Sequence, residues 1–272
     1  MFKFKKNFFN KKISDKNEEN HTNKLRKTKS LEGKIALVMG ASSGIGKSSA
    51  IDLAKNGVKV VIAARRKKVL SEVSDEINQK YQNSCKYIIC DVSKLSQIEN
   101  AVNFTIKEFG KIDILVNSFG LEEMSKDILQ TTEDEFDKIV SINMKSVYFS
   151  CKSVIREMRK QNDSKCSIIN ISSVQGIVAG GINAIYCGSK HAVNGFTKAL
   201  SKNEISLNSN IRINSICPGT TKTDMITRVS GSNEGVQNYP EEVASIVSFL
   251  ASEESSFING AIITADAGLV CN

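Results

Sequence analysis

Residues 34–55 read KIALVMGASSGIGKSSAIDLAK, and this stretch decides the fold. Lys34 to Met39 is a short apolar run that predicts a buried strand. It passes directly into Gly40-Ala41-Ser42-Ser43-Gly44-Ile45-Gly46, and a helical pattern then continues through Lys55. Strand, glycine loop and helix in that order give a glycine motif its meaning. Positions without side chains let the backbone approach a diphosphate, and a helix N-terminus offers unpaired N–H groups and the positive end of its dipole. The spacing is G-x-x-x-G-x-G rather than G-x-G-x-x-G, and a glycine turn that merely packs is the competing reading.

Outward from this unit the chain alternates. Strands are predicted at Val58–Ala64, Cys85–Cys90, Ile112–Val116, Ile168–Ile171, Ile211–Ile216 and Ala261–Ala265. Helices are predicted at Lys67–Lys80, from a Ser93 cap to about Phe109, and in a long region from Glu133 to Lys160. Two more run from Ala184 to about Leu207 and from Pro240, near the first turn, to Leu250. Near-continuous apolar strands separated by helices predict an α/β fold: a single Rossmann-like, doubly wound parallel sheet flanked by helices.

The chemistry falls between Ser172 and Lys190. Strand Ile168–Ile171 ends in Ser172 and Ser173, and Tyr186 and Lys190 lie four residues apart, on one face of a helix. An isolated phenol titrates near ~10, so it is a poor base and a reluctant donor at neutral pH. A neighbouring cation favours the phenolate and lets the pair exchange a proton with a carbonyl or alcohol oxygen. Ser173 is placed to hydrogen-bond the same oxygen. Taken alone, Tyr-x-x-x-Lys also recurs by chance on helices, with the lysine solvated.

Composition bounds the alternatives. With 272 residues, 40% hydrophobic and 24% charged, the chain has ordinary globular values. The net charge of +8 sits almost wholly in residues 1–30, where ten basic residues face three acidic ones; the remainder is near +1. A basic globular face for nucleic acid is not supported. The tail is rich in Lys and Asn, has no run long enough for a membrane span, and reads as disordered or as a weak basic targeting segment. The seven cysteines include no C-x-x-C pair and no histidine partner at metal spacing, so buried thiols in a reducing compartment are expected and no metal is assigned.

The second strand ends in Ala64, where an acid would bond the 2′-hydroxyl of NAD, and Arg65-Arg66-Lys67-Lys68 follow. Arg65 suits a 2′-phosphate, so NADP(H) is favoured over NAD(H); a solvated charge run opening the next helix accounts for some of these four.

From Leu31 to the C-terminus the chain resembles a short-chain dehydrogenase/reductase of the compact type of about 250 residues. Gly40, Gly44 and Gly46, with Ser42, Ser43 and Ile45 between them, match the cofactor loop. Asp91, followed by Val92, matches the acid that meets the adenine ring, and Asn117 and Gly120 match the outer positions of Asn-Asn-Ala-Gly. Asn143, Ser173, Tyr186 and Lys190 match the catalytic tetrad. Pro218-Gly219 with Thr223 matches the segment that holds the nicotinamide carboxamide.

The resemblance implies hydride transfer between a nicotinamide and a carbonyl or secondary alcohol. Tyr186 exchanges the proton, Lys190 lowers the tyrosine pKa and bonds the nicotinamide ribose, and Ser173 orients the carbonyl. Asn143 holds a water linking Lys190 to solvent; a side chain bonded to its own helix is the alternative. It further implies a homotetramer or dimer. An NAD-dependent alcohol dehydrogenase, a 3-oxoacyl reductase-like activity and a non-catalytic NADP-binding protein are the other readings. The intact tetrad stands against the last.

Some positions depart from the family pattern. Met39 replaces the usual threonine before the first glycine, and Phe119 interrupts Asn-Asn-Ala-Gly; apolar contact is expected to replace a polar tie there. The stretch between Thr223 and Pro240 looks short for a substrate lid, and its Ser230–Gly235 run reads as mobile, which predicts a small or medium carbonyl compound. Two domains are drawn, a basic tail over 1–30 and a catalytic domain over 31–272. The location is expected to be cytoplasmic, with an organelle as the alternative. His191 is read as structural or at a subunit contact.

Overall fold

The computed structural model describes residues 31–82, 84–122, 127–161, 164–179, 183–230 and 238–271. The basic tail and most of the Ser230–Gly235 run lie outside the described residues. Seven strands, β1 (Ile35–Met39), β2 (Lys59–Ala64), β3 (Cys85–Ile89), β4 (Ile114–Asn117), β5 (Cys166–Ile171), β6 (Ile211–Pro218) and β7 (Ile262–Ala265), form one sheet in the order 3-2-1-4-5-6-7. Every pairing is parallel. The expected doubly wound sheet is therefore present, with each strand within two residues of its predicted bounds.

Strand alternation explains the two layers. Successive side chains leave a strand on opposite faces. Ala36, Val38, Val60 and Ile62 accordingly join one apolar cluster, while Leu37, Met39, Val61 and Ala63 join the other. The first is covered by α1 (Gly44–Lys55), α2 (Lys67–Lys80) and α7 (Pro240–Ala251), through residues such as Leu53, Leu70, Ile77 and Val247. The second is covered by α3 (Leu95–Phe109), α5 (Ser146–Met158) and α6 (Ala184–Ser206), through Ile98, Val102, Val154, Met158 and Val193. Burial on both faces is what makes the central strands read as unbroken apolar runs.

Two predicted helices differ. Ser93 does not cap α3; its N–H and hydroxyl both donate to Asp91 Oδ1, and Lys94 occupies the cap. Asp91 thus accepts from the residue two positions on and forms a turn ahead of the helix. The long helix expected over 133–160 is α4 (Glu133–Ile139), a π-helical stretch over Val140–Lys145, and α5. Within the widened turn the Ser146 hydroxyl donates to the carbonyls of Ser141, at 2.6 Å, and Ile142.

The order reverses between β1 and β4, where the chain leaves the sheet in opposite directions. Crevices at the carboxyl ends beside such a switch point are where open α/β sheets bind ligands. The predicted site residues lie at or after the carboxyl ends of β1 to β6.

Candidate active site

The loop after β1 is shaped first by its own backbone. Gly40 has φ +86°, and a Cβ there would lie 2.2 Å from the Ser118 carbonyl oxygen. A Cβ on Gly46 would lie 2.4 Å from the Gly40 carbonyl oxygen. These two glycines are required by the protein's own chain, so the packing reading holds for them. Gly44, at φ +54°, lies under the Thr223 methyl, so the segment after β6 (Gly219, Thr223) crosses the loop.

The loop nonetheless fits an anion. Ser43 caps α1 in an extended conformation and makes no side-chain capping bond, and the first turn of α1 contains no acid. Its first N–H groups have no partner within the helix and lie at the positive end of its dipole, while the carboxylate of Asp224 pairs with Arg66 at 3.9 Å beside the same loop. Arg66 Nη2 donates to both Ser42 Oγ and Ser43 Oγ at 2.9 Å. Arg65 and Arg66 are both exposed, and the guanidinium tied to this loop is that of Arg66, the neighbour of the residue named from the sequence. Arg66 caps α2 and so turns back toward the loop. Ile45 and Val92 are partly buried against the two cores, and Asp91 follows β3 with Oδ1 committed to Ser93.

Asn117 ends β4, almost fully buried, and its side chain is committed beneath the site. Nδ2 donates to Asn170 Oδ1 at 2.9 Å, and Oδ1 accepts from Ser150 at 2.8 Å. Asn170 Nδ2 continues to Thr197, so one polar chain ties β4, β5, α5 and α6 together. Met39 is fully buried in the apolar cluster against which Phe119 packs, as the departures from the family pattern predicted.

The predicted catalytic side chains converge. Asn183 caps α6 by accepting from the Tyr186 N–H, which starts the helix one turn before the tyrosine. Ser173, just past β5, caps a single helical turn over Val174–Gly176 and hydrogen-bonds the Tyr186 phenol. Lys190 Nζ lies 5.5 Å from the Tyr186 ring centroid and donates to the Ile171 carbonyl at 3.1 Å. Gly120 lies against this pair: a Cβ there would stand at ordinary contact distance, 3.4 Å from Lys190 Nζ and 3.6 Å from Asn143 Oδ1.

The Asn143 side chain is not bonded to its own helix. Its Oδ1 accepts from Leu121 N at 2.8 Å, and its Nδ2 donates to Leu121 O and Ser189 Oγ. The amide clamps the backbone of the loop after β4 and spends its polar atoms on protein. The π-helical turn carries it there.

Electrostatics of the cluster run opposite to expectation. Burial pushes the Tyr186 phenol above its ordinary range, the negative charge of Glu122 adds to this, and the bond to Ser173 draws it down. Lys190 does not offset the burial, because removing a phenolate from water costs more than a cation over the ring returns. Burial also pushes Lys190 down, to about 8, against smaller opposing effects of Cys217 and Glu122. Tyr186 is thereby a held proton donor at neutral pH. Glu122, buried and acting on both groups, was missed in sequence because nothing in its surroundings signals burial of an acid.

Burial raises four thiols, Cys85 to about 11 and Cys90, Cys151 and Cys166 to about 12; Cys187 is half-buried and Cys271 exposed. Among the described residues no helix is long and apolar enough to cross a membrane.

The arrangement has parallels among known proteins. The family model described as short chain dehydrogenase matches residues 34–234. A 3-oxoacyl-[acyl-carrier-protein] reductase of Thermotoga maritima is 34% identical over 88% of this chain and 99% of its own. A diacetyl reductase [(S)-acetoin forming] of Staphylococcus epidermidis is 33% identical over 87% and 98%. Among solved structures, levodione reductase superposes with a TM-score of 0.81 at 28% identity, covering 87% of this chain and 97% of that one. A 3-ketoacyl-(acyl-carrier-protein) reductase of Brucella melitensis, crystallised with NADH, gives 0.80 at 31% over 88% and 99%. The likeness thus runs along nearly the whole length of these proteins. The chain belongs to the short-chain dehydrogenase family, nicotinamide-dependent oxidoreductases acting on carbonyl and alcohol groups.

Proposed function

We propose that this protein reduces the carbonyl group of small or medium compounds, with NADP(H) as its hydride carrier, and that residues 31–272 form its catalytic domain. The observation that supports this best is the cluster of half-buried Ser173 with buried Tyr186 and Lys190 at the carboxyl end of β5. When bound, a nicotinamide cofactor supplies the hydride in reduction and accepts it in oxidation. The remaining work falls to the chain. Ser173 and Tyr186 hold the substrate oxygen between two hydroxyl donors, and Tyr186 gives its proton to that oxygen as the alcohol forms. Lys190, anchored on Ile171, keeps a positive charge beside the phenol as it ionises. Asn143 holds Leu121, and so the Gly120 segment, against Lys190.

The N–H groups opening α1, Gly44 and Thr223 would hold the diphosphate and nicotinamide portions, with Asp91 near the adenine. Arg66, beside Ser42 and Ser43, and the lack of an acid at Ala64 support the 2′-phosphate. A second reading, NAD(H) dependence, is favoured by the NADH carried by the Brucella melitensis relative. A homo-oligomer built through α5 and α6 belongs to the same proposal and is supported by Tyr148, exposed yet edge-on to Phe149 and Phe196. Steady-state rates on a panel of ketones and aldehydes, each with NADPH and NADH, test the function. The expected result is turnover of short carbonyl compounds with kcat/KM about tenfold or more higher for NADPH. No turnover with either cofactor would overturn the reading, and a preference for NADH would establish the second one.

A further inference from the structure

The buried carboxylates among the described residues are those of Asp113, Glu122, Glu204 and Asp266. Taking a carboxylate out of water is costly, so each burial calls for a reason. For Asp113, Glu204 and Asp266 the reason is structural. Asp113 accepts from the Ile35 N–H and pairs with Lys111, Glu204 pairs with Arg159, and Asp266 accepts from the Gly268 and Val270 N–H groups. Glu122 lies on the loop after β4, beside Tyr186 and Lys190. Two residues before it, the Cβ position of Gly120 is 3.4 Å from Lys190 Nζ. The residue between them, Leu121, is clamped through its N–H and its carbonyl by Asn143. That clamp fixes where the chain carries Glu122 inward, and with 8% of its surface exposed its charge is little screened by water.

We propose that Glu122 is a positioning residue that acts through Lys190: its buried negative charge keeps the ammonium protonated through neutral pH and so sets the alkaline limit of carbonyl reduction. This rests on the carbonyl-reductase reading and adds the pH range over which that site works. Lys190 needs such a charge. Burial works against its ammonium, and its hydrogen bond to the Ile171 carbonyl brings a dipole rather than an opposite charge. Glu122 opposes the burial at Lys190, and it makes the Tyr186 phenol harder to ionise as well. The other titratable group acting on the pair is Cys217 on β6, which adds to Glu122 once its thiol has ionised. On α6 itself His191 is exposed and bonded to the Cys187 carbonyl. With Lys190 neutral, no ammonium faces the phenolate that remains when Tyr186 gives its proton to the substrate oxygen, and reduction slows.

The experiment follows kcat/KM for reduction of the fastest ketone of the panel from about pH 6 to 10. It uses the full-length protein, the neutral variants Glu122→Gln and Glu122→Thr, and Glu122→Asp, which keeps the charge. The wild-type rate is expected to fall with a midpoint near the Lys190 value of about 8. In each folded neutral variant that midpoint moves down by about half a pH unit or more, while the rate near pH 6 changes much less. Glu122→Asp keeps the midpoint within about 0.2 unit of the wild type. A midpoint unmoved in the neutral variants, whether or not the rate drops at every pH, would overturn the proposal. A fall as large in Glu122→Asp as in Glu122→Gln would do the same. The Lys190 charge is read separately by ¹³C NMR of lysine labelled at Cε, with the signal assigned through Lys190→Met. If the wild type reduces no ketone with either cofactor, the reductase reading fails by itself. The NMR midpoint then decides: lower in the neutral variants by about half a unit upholds the hold of Glu122 on Lys190, and an unchanged one sinks it.

Discussion

The glycine loop after β1 and the Tyr186 cluster after β5 lie at the same edge of one sheet and are built by opposite means. The loop is determined by backbone crowding: Gly40 and Gly46 exist because carbonyl oxygens occupy the space of their side chains, and the polar contacts around Ser42, Ser43 and Arg66 are exposed. The cluster is determined by buried side chains, with Tyr186, Lys190 and Asn143 each 5% exposed or less. A change in the loop therefore acts either on the whole fold, through sterics, or only on ligand choice, through a solvent-screened charge. A change in the cluster acts on proton transfer and pH dependence. The difference teaches that a matched motif identifies positions, whereas burial decides what each does.

The largest effect expected is at Gly40. Gly40→Ala combines a positive φ with a 2.2 Å overlap on the Ser118 carbonyl, and a loss of roughly 3–5 kcal/mol in stability is expected by denaturant unfolding. A stability within 1 kcal/mol of the wild type would break the steric half of the comparison. Next is Lys190, held below its ordinary value. Between about pH 8 and 10.5 the unfolded chain carries a proton on this side chain that the folded chain has released. Stability contributed at Lys190 therefore rises with pH across that window, by about 3 kcal/mol in all. Tyr186 and the raised thiols act in the opposite sense at alkaline pH, so the difference between wild type and Lys190→Met is what should be followed. A difference flat with pH would place Lys190 in solvent-like surroundings.

Asn143→Ala leaves both polar groups of the Leu121 backbone without partners and frees the segment against Lys190. A fall in kcat/KM of about 10²-fold with cofactor affinity nearly unchanged is expected from steady-state rates and fluorescence titration. Equal losses in both would make Asn143 a stabiliser of the cofactor groove instead. The smallest effect belongs to the exposed guanidinium. Arg66→Ser is expected to lower the NADPH to NADH ratio of kcat/KM about tenfold, about 1.4 kcal/mol, with stability unchanged, and Arg65→Ser to alter it little. The reverse result would return the assignment to Arg65.

Much of this was legible before the structure. Strands buried on both faces leave unbroken apolar runs, so all seven could be placed, and the motif positions followed from their ends. The phase of Arg65 and Arg66 was not, because two like residues at a strand end differ only in which way the backbone turns. Asn143 was found, but its hold on Leu121 was not legible: it sits in a π-helical turn where the Ser146 hydroxyl bonds carbonyls four and five residues back, and a serine inside a helix has no fixed partner in sequence. The direction of the Tyr186 shift was misread because spacing shows which charges are close and not how much water remains. Glu122 was invisible for the same reason: burial of a polar group depends on tertiary packing.

The most direct measurement is kcat/KM for carbonyl reduction by Tyr186→Phe, with cofactor affinity followed alongside by NADPH fluorescence. A proton donor held in a buried cluster predicts a loss of about 10³-fold or more with the cofactor dissociation constant within about threefold of the wild type. Retention of more than about a tenth of the wild-type rate would show that the proton comes from elsewhere and would contradict the account.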